Sequence, residues 1–156
     1  MNMNRRQLLK SAGSTGLLAV LMGAGLLKPG FAFAADWNQS AFGATDLAAA
    51  LKAIGSGEPT PSAEITFTAP DIAENGAVVP VTISSKLPNT QSISVLVEKN
   101  PNALAAVFEI PEGTEANIST RVKMGQTSNV IALVKADGKY YSASKEVKVT
   151  LGGCGG

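Results

Sequence analysis

The 156-residue chain closes on Gly152-Gly153-Cys154-Gly155-Gly156, and Cys154 is its only cysteine. A thiol set among glycines has no adjacent side chain to pack against, and its backbone is as free as a polypeptide allows. The pattern reads as a reactive sulfur on a flexible arm, presented to other molecules. Extended from Leu151, such an arm carries the sulfur about 10–14 Å outward, the depth of an enzyme pocket. The four glycines remove every side chain that would clash in a narrow passage. An unperturbed thiol is only a few per cent ionised near neutral pH. Nothing adjacent to Cys154 would raise that fraction. A visiting partner must therefore supply the base, metal or positive field, which makes this a carrier rather than a catalyst. A glycine-rich end with an incidental cysteine is the plain alternative. The symmetric placement directly after a strand-like stretch speaks against it.

The start of the chain explains where such a thiol would work. Asn4-Arg5-Arg6-Gln7-Leu8-Leu9-Lys10 precedes a short apolar run from about Gly16 to Leu27 and then Ala32-Phe33-Ala34. A basic end, an apolar middle and an A-x-A site together make a secretory signal. The paired Arg5 and Arg6 resemble the twin-arginine class, which exports folded proteins. The apolar run is shorter than the ~20 residues of a spanning helix. The expected leader is 1–34, cut after Ala34, with Ala35 as the alternative. Export to the periplasm follows.

Composition then excludes whole classes of function. Loss of 1–34 removes Arg5, Arg6, Lys10 and Lys28 but no acidic residue, leaving nine basic against twelve acidic side chains. That balance argues against nucleic acid and an anionic membrane surface as partners. The chain has no histidine, so an imidazole base, a Ser-His or Cys-His pair and a histidine metal site are all absent. With one cysteine there is no internal disulfide and no thiolate cage. No cofactor is expected.

The elements that must hold the arm are legible as periodicity. Residues 40–54 are alanine-rich, with Leu47, Leu51 and Ile54 at helical spacing and Gly55 as a stop. This predicts one amphipathic helix, capped by Thr45. From Ile65 onward the period becomes two. Val79, Val81 and Ile83 alternate with polar neighbours, as do Ile93, Val95 and Val97, and Ala106, Phe108 and Ile110. Ile118 to Met124 and Val147 to Leu151 behave likewise. Val130 to Val134 is nearly continuous, as in a central strand. Pro111-Glu112-Gly113 is expected as a hairpin connection, and Asp137-Gly138 as a tight turn. About seven strands at this spacing predict an antiparallel, immunoglobulin-like β-sandwich over 35–151, with an N-terminal helix and the arm at 152–156. The last strand, from about Lys139 to Leu151, is expected at a sheet edge. The Val130–Val134 face and the Phe108 strand are the apolar surfaces that a partner could use, although such runs more often pack inward. Arg121 and Lys123 are expected to point outward. One of Tyr140 and Tyr141 is expected to pack inward and the other outward.

Several stretches resemble the SoxY family of sulfur carriers in thiosulfate oxidation. They are the twin-arginine leader, Lys99-Asn100-Pro101-Asn102, the run from Thr120 to Ser128 (TRVKMGQTS), and Glu146 to Gly156, ending in GGCGG. The resemblance implies that Cys154 is the covalent attachment point for sulfur intermediates. It implies a heterodimer with a SoxZ-like β-sandwich subunit that lacks its own leader and is exported with this chain. It also implies transient docking to a c-type cytochrome that conjugates thiosulfate, to a sulfate-releasing hydrolase and, where present, to a sulfane dehydrogenase. A lone cysteine suits such a cycle, because a second would divert the persulfide into a disulfide. Two other readings compete. A Gly-Gly thiocarboxylate carrier needs cytoplasmic adenylation, which the leader opposes. An interaction module joined by an intermolecular disulfide would show linked dimers without sulfur adducts.

Overall fold

A computed structural model describes residues 38–151. The expected leader, Trp37 and residues 152–156 lie outside the described residues. Two helices come first, α1 (Gln39–Phe42) and α2 (Leu47–Ile54). Nine strands follow: β1 (Thr60–Pro61), β2 (Ile65–Thr68), β3 (Ile72–Asn75), β4 (Val79–Ser85), β5 (Thr90–Val97), β6 (Leu104–Glu109), β7 (Asn117–Val122), β8 (Ser128–Ala136) and β9 (Lys139–Leu151). The larger sheet has the order β1-β9-β8-β5-β6, with β3 also paired to β9, and the smaller is β2-β4-β7. The chain is mainly β and folds as an immunoglobulin-like sandwich.

The alternating residues meet between the sheets. Val79, Val81 and Ile83 of β4 face Ile93, Val95 and Val97 of β5, together with Val130, Ala132, Val134 and Val147, all buried in one cluster. Met124 is sealed in the same core. The Asp137-Gly138 turn between β8 and β9 has positive φ at both residues, 48° and 72°. That is the primed turn matching the strand twist. Asn89 Nδ2 donates to Asp137 Oδ1 at 2.8 Å and ties a second turn to it.

The other face of the larger sheet is covered too. Leu96, Leu104, Ile131 and Leu133 form a second cluster beneath Ala41, Ala44 and Ala50. This explains why Ile131 and Leu133 are as apolar as their neighbours: β8 is buried on both faces. The Val130–Val134 run is therefore interior and offers no partner surface. Tyr140 and Tyr141 both have cover. Tyr141 packs on the inter-sheet core, whereas Tyr140 lies under the helices and donates its hydroxyl to Ile54 O at 3.0 Å.

The structure departs from the sequence reading elsewhere as well. The helix expected over 40–54 is broken at Gly43, and α2 is capped by Asp46, not Thr45. The Asp46 carboxylate accepts from Ala49 N at 2.7 Å, with Asp46 itself extended, the usual N-cap geometry. The Pro111-Glu112-Gly113 connection joins no hairpin; it carries the chain from the larger sheet to the smaller. Two short strands, β1 and β3, were not visible in the pattern. Both pair with β9 in parallel, so β9 is not an edge, and the larger sheet is mixed rather than purely antiparallel.

Candidate functional site

Cys154 and its glycines, Gly152, Gly153, Gly155 and Gly156, lie outside the described residues; the strand that leads into them does not. Strand β9 pairs with β8 from Lys139 to Val147, where the register ends at Ser128↔Val147. Beyond Val147 another neighbour takes over. Ile72 lies opposite Lys148, Ala73 opposite Val149 and Asn75 opposite Leu151. Lys148 N donates to Asp71 O at 3.0 Å. Val149 N donates to Thr127 Oγ1 at 3.0 Å, and Thr150 Oγ1 donates to Glu74 O at 3.1 Å. The pairing thus follows the chain to Leu151, the last described residue before the glycines.

One ion pair fastens β3 to β9. Lys145 Nζ lies 2.9 Å from Asp71 Oδ1, and it also donates to Ala69 O. The hydrogen bond from Lys145, followed by its charge, holds the Asp71 carboxyl below the usual carboxylate range. Because Asp71 is exposed, water screens the pair, and its contribution is local. At the other end of β3, the Asn75 side chain accepts from Ala77 N at 2.9 Å and caps a 3₁₀ turn over Gly76–Val78. Met124 N donates to Gly76 O, tying that turn to the segment after β7.

The three quoted mature stretches meet here. Asn100 Nδ2 donates to Lys123 O at 2.6 Å, and Asn100 Oδ1 accepts from Gly125 N at 3.1 Å. Lys99 N donates to Ser128 Oγ at 3.0 Å. Thr127 then reaches Val149, as above. Stretches far apart in sequence are thereby joined at the end of the sandwich where β9 finishes. An open groove there is lined by Asn100, Pro101, Asn102, Lys123 and Gly125. Arg121 and Lys123 are exposed, as expected. Among the described residues, no group of three or more His, Cys, Asp or Glu side chains is placed to hold a metal ion.

Sequence reasoning did not single out Asp71, Asn75 or Lys145. Their signal is weak, since each is a common surface residue type and β3 has no alternation to place it. The family motif of Glu146 to Gly156 pointed to the right strand but not to the partner that holds it.

The family model described as "SoxY: Sulfur oxidation protein SoxY" matches residues 50–154, which includes Cys154. The chain belongs to the SoxY family. A solved SoxY, described as the sulfur carrier protein from Chlorobium limicola f thiosulfatophilum, is 38% identical with a TM-score of 0.62. The match covers 73% of this chain and 100% of that SoxY. A superoxide reductase (neelaredoxin) from Ignicoccus hospitalis is 16% identical, with a TM-score of 0.49, over 55% of this chain and 79% of its own. No curated protein matches the sequence.

Proposed function

We propose that this chain is a periplasmic sulfur-carrier protein of thiosulfate oxidation, that Cys154 holds the cargo covalently, and that the chain is not itself an enzyme. The observation that carries this reading is the family match, which runs through Cys154. The structure supports it with a strand that stays paired, first with β8 and then with β3, until three residues before that cysteine. A tether works as a handle when its base is fixed and its tip is not.

The chemistry is then divided between carrier and visitors. The Cys154 sulfur is joined to the sulfane sulfur of thiosulfate, with loss of the thiol proton and two electrons. A c-type cytochrome partner takes up the electrons. The product is a cysteine S-thiosulfonate. Water then cleaves the bond between the sulfane and sulfonate sulfurs at a hydrolase, which releases sulfate and leaves a persulfide. A sulfane dehydrogenase, where present, oxidises what remains. Gly152, Gly153, Gly155 and Gly156 form the swinging arm that lets the loaded sulfur enter each site. A SoxZ-like β-sandwich subunit completes a heterodimer that is exported folded by the twin-arginine route, directed by Arg5 and Arg6.

The test is intact mass of the mature chain after incubation with thiosulfate and the oxidising cytochrome partner. A thiosulfate adduct on Cys154, absent from Cys154→Ser, is the expected result. An adduct that persists in Cys154→Ser would overturn the assignment.

A further inference from the structure

Strand β9 changes character between Val147 and Lys148. Val147 is sealed in the core and is the last residue of β9 paired with β8. From Lys148 to Leu151, β3 is the strand alongside among the described residues. On the other flank a single hydrogen bond remains, from Val149 N to Thr127 Oγ1. Lys148, Thr150 and Leu151 are exposed, and of these four residues Val149 packs on the inter-sheet core. Lifting the four away returns one partly buried apolar side chain to water and frees backbone groups that water can satisfy. Opening past Val147 would break the ladder with β8 and expose a fully buried side chain. The chain therefore has a hinge between Val147 and Lys148.

β3 does not depend on the residues it seats. Its first end is fixed by Lys145, which lies on the retained side of the hinge. Lys145 Nζ pairs with Asp71 and donates to Ala69 O. Its far end is fixed by Gly76 O, which accepts from Met124 N, and by the Asn75 side chain, which accepts from Ala77 N. Between them Ala73 is buried in the core cluster. None of these contacts uses residues 148–151. The seat therefore stays formed when those residues leave, and reclosing has to order only four of them.

We propose that residues 148–151 are a detachable strap that gives the arm two lengths. With the strap seated, the arm starts at Leu151 and takes the sulfur about 10–14 Å outward. With the strap released, the arm starts at Val147, and the seven residues to Cys154 span roughly 23–25 Å. The added length carries branched side chains and one charge. It suits the crossing to a recessed or offset entrance, whereas the glycines suit the passage itself. The use of the longer reach rests on the proposed carrier role; the two lengths rest on the strand pairing alone.

Disulfide trapping measures that reach. Ser144 is exposed and lies seven residues before Leu151 in the same strand, about 23 Å away. A seated arm falls short of it, even with the few ångströms that a disulfide adds. Ser144 is three residues before Val147, or about 10 Å, well within the released length. In the mature Ser144→Cys chain, held dilute with oxidised glutathione, an internal disulfide between positions 144 and 154 is expected. It is read as the loss of two hydrogens from the intact monomer mass.

Adding Ala73→Asp weakens the seat and should speed the internal linkage roughly tenfold. Adding Leu133→Ala weakens the core instead and should leave the rate unchanged. No internal disulfide, with both thiols still open to a small alkylating reagent, overturns the proposal. So does a rate raised equally by Ala73→Asp and Leu133→Ala, because global unfolding would then supply the reach. The trapping uses no thiosulfate and no partner enzyme, so its failure and that of the carrier reading are separate observations.

Discussion

Strand β8 and residues 148–151 of β9 lie close together in one sheet, yet different forces hold them. β8 is flanked by β5 and β9 along its length and buried on both faces, one by the smaller sheet and one by the helices. Residues 148–151 are held by a four-residue strand, a threonine hydroxyl and an exposed ion pair. β3 buries Ala73 but leaves Ile72 59% exposed, and Leu151 is 70% exposed. Apolar burial scales stabilisation at roughly 25 cal/mol per Å², so far more of it lies at β8 than at residues 148–151. The base of the arm has little of it. Local opening there should therefore occur at far lower cost than global unfolding. The core and the end of β9 can therefore be perturbed separately.

Cys154→Ser should have the largest effect on one side of that division. Sulfur loading should fall to background while the melting temperature stays unchanged; marked unfolding of this variant would contradict the separation. Leu133→Ala should act on the other side. It truncates a side chain sealed beneath the helices and should cost about 2–5 kcal/mol in urea unfolding. Loading per folded molecule should not change. Ala73→Asp tests the boundary. A carboxylate at this buried site should cost about 1–3 kcal/mol, and amide exchange should quicken at 148–151 more than in β8. Equal acceleration in both strands would show that β3 and the core open together.

Two smaller effects would refine the contrast. Under the proposed carrier role, Gly153→Val widens the arm, so turnover should slow, and unequally between partners whose entrances differ in width. Equal rates with every partner would argue against entry as the limiting factor. The Asp71–Lys145 pair gives the smallest signal. Because folding lowers the Asp71 pKa, its contribution is present above the unfolded pKa and is lost as pH falls through the folded one. Protection of the 148–151 amides, taken against their intrinsic exchange rate at each pH, should thus fall below about pH 4. Asp71→Asn should remove that step at the arm base and leave β8 unaffected.

The sequence was most readable where period and burial coincide. Val79, Val81 and Ile83 alternate because one face of β4 is dry. It was least readable where a strand owes its existence to its neighbour. Ile72–Asn75 has only four residues and one buried side chain, too few to establish a period. Thr60–Pro61 would not be read as a strand by any propensity. The second core was half visible. Val130 to Val134 looked central, but Ser94 and Leu96 gave no warning that β5 is covered on both faces. A serine in that run masks the pattern. Thr45 and Asp46 both suit an N-cap, and only the extended backbone of Asp46 distinguishes them. For the candidate site, the motifs around Asn100, Gly125 and Val149 were legible as words but not as a place. Their convergence depends on the Asn100 amide bridging two loops.

The parallel pairing of β3 with β9 has a mechanical side. β9 is gripped lengthwise by antiparallel β8 and then by parallel β3, with its hydrogen bonds running across the strand. Under the proposed carrier role, a tug on the cysteine by a retreating enzyme would load those bonds together in shear instead of peeling them singly. The end of β9, weak against local opening, thus resists a pull along the strand better than a pull across it.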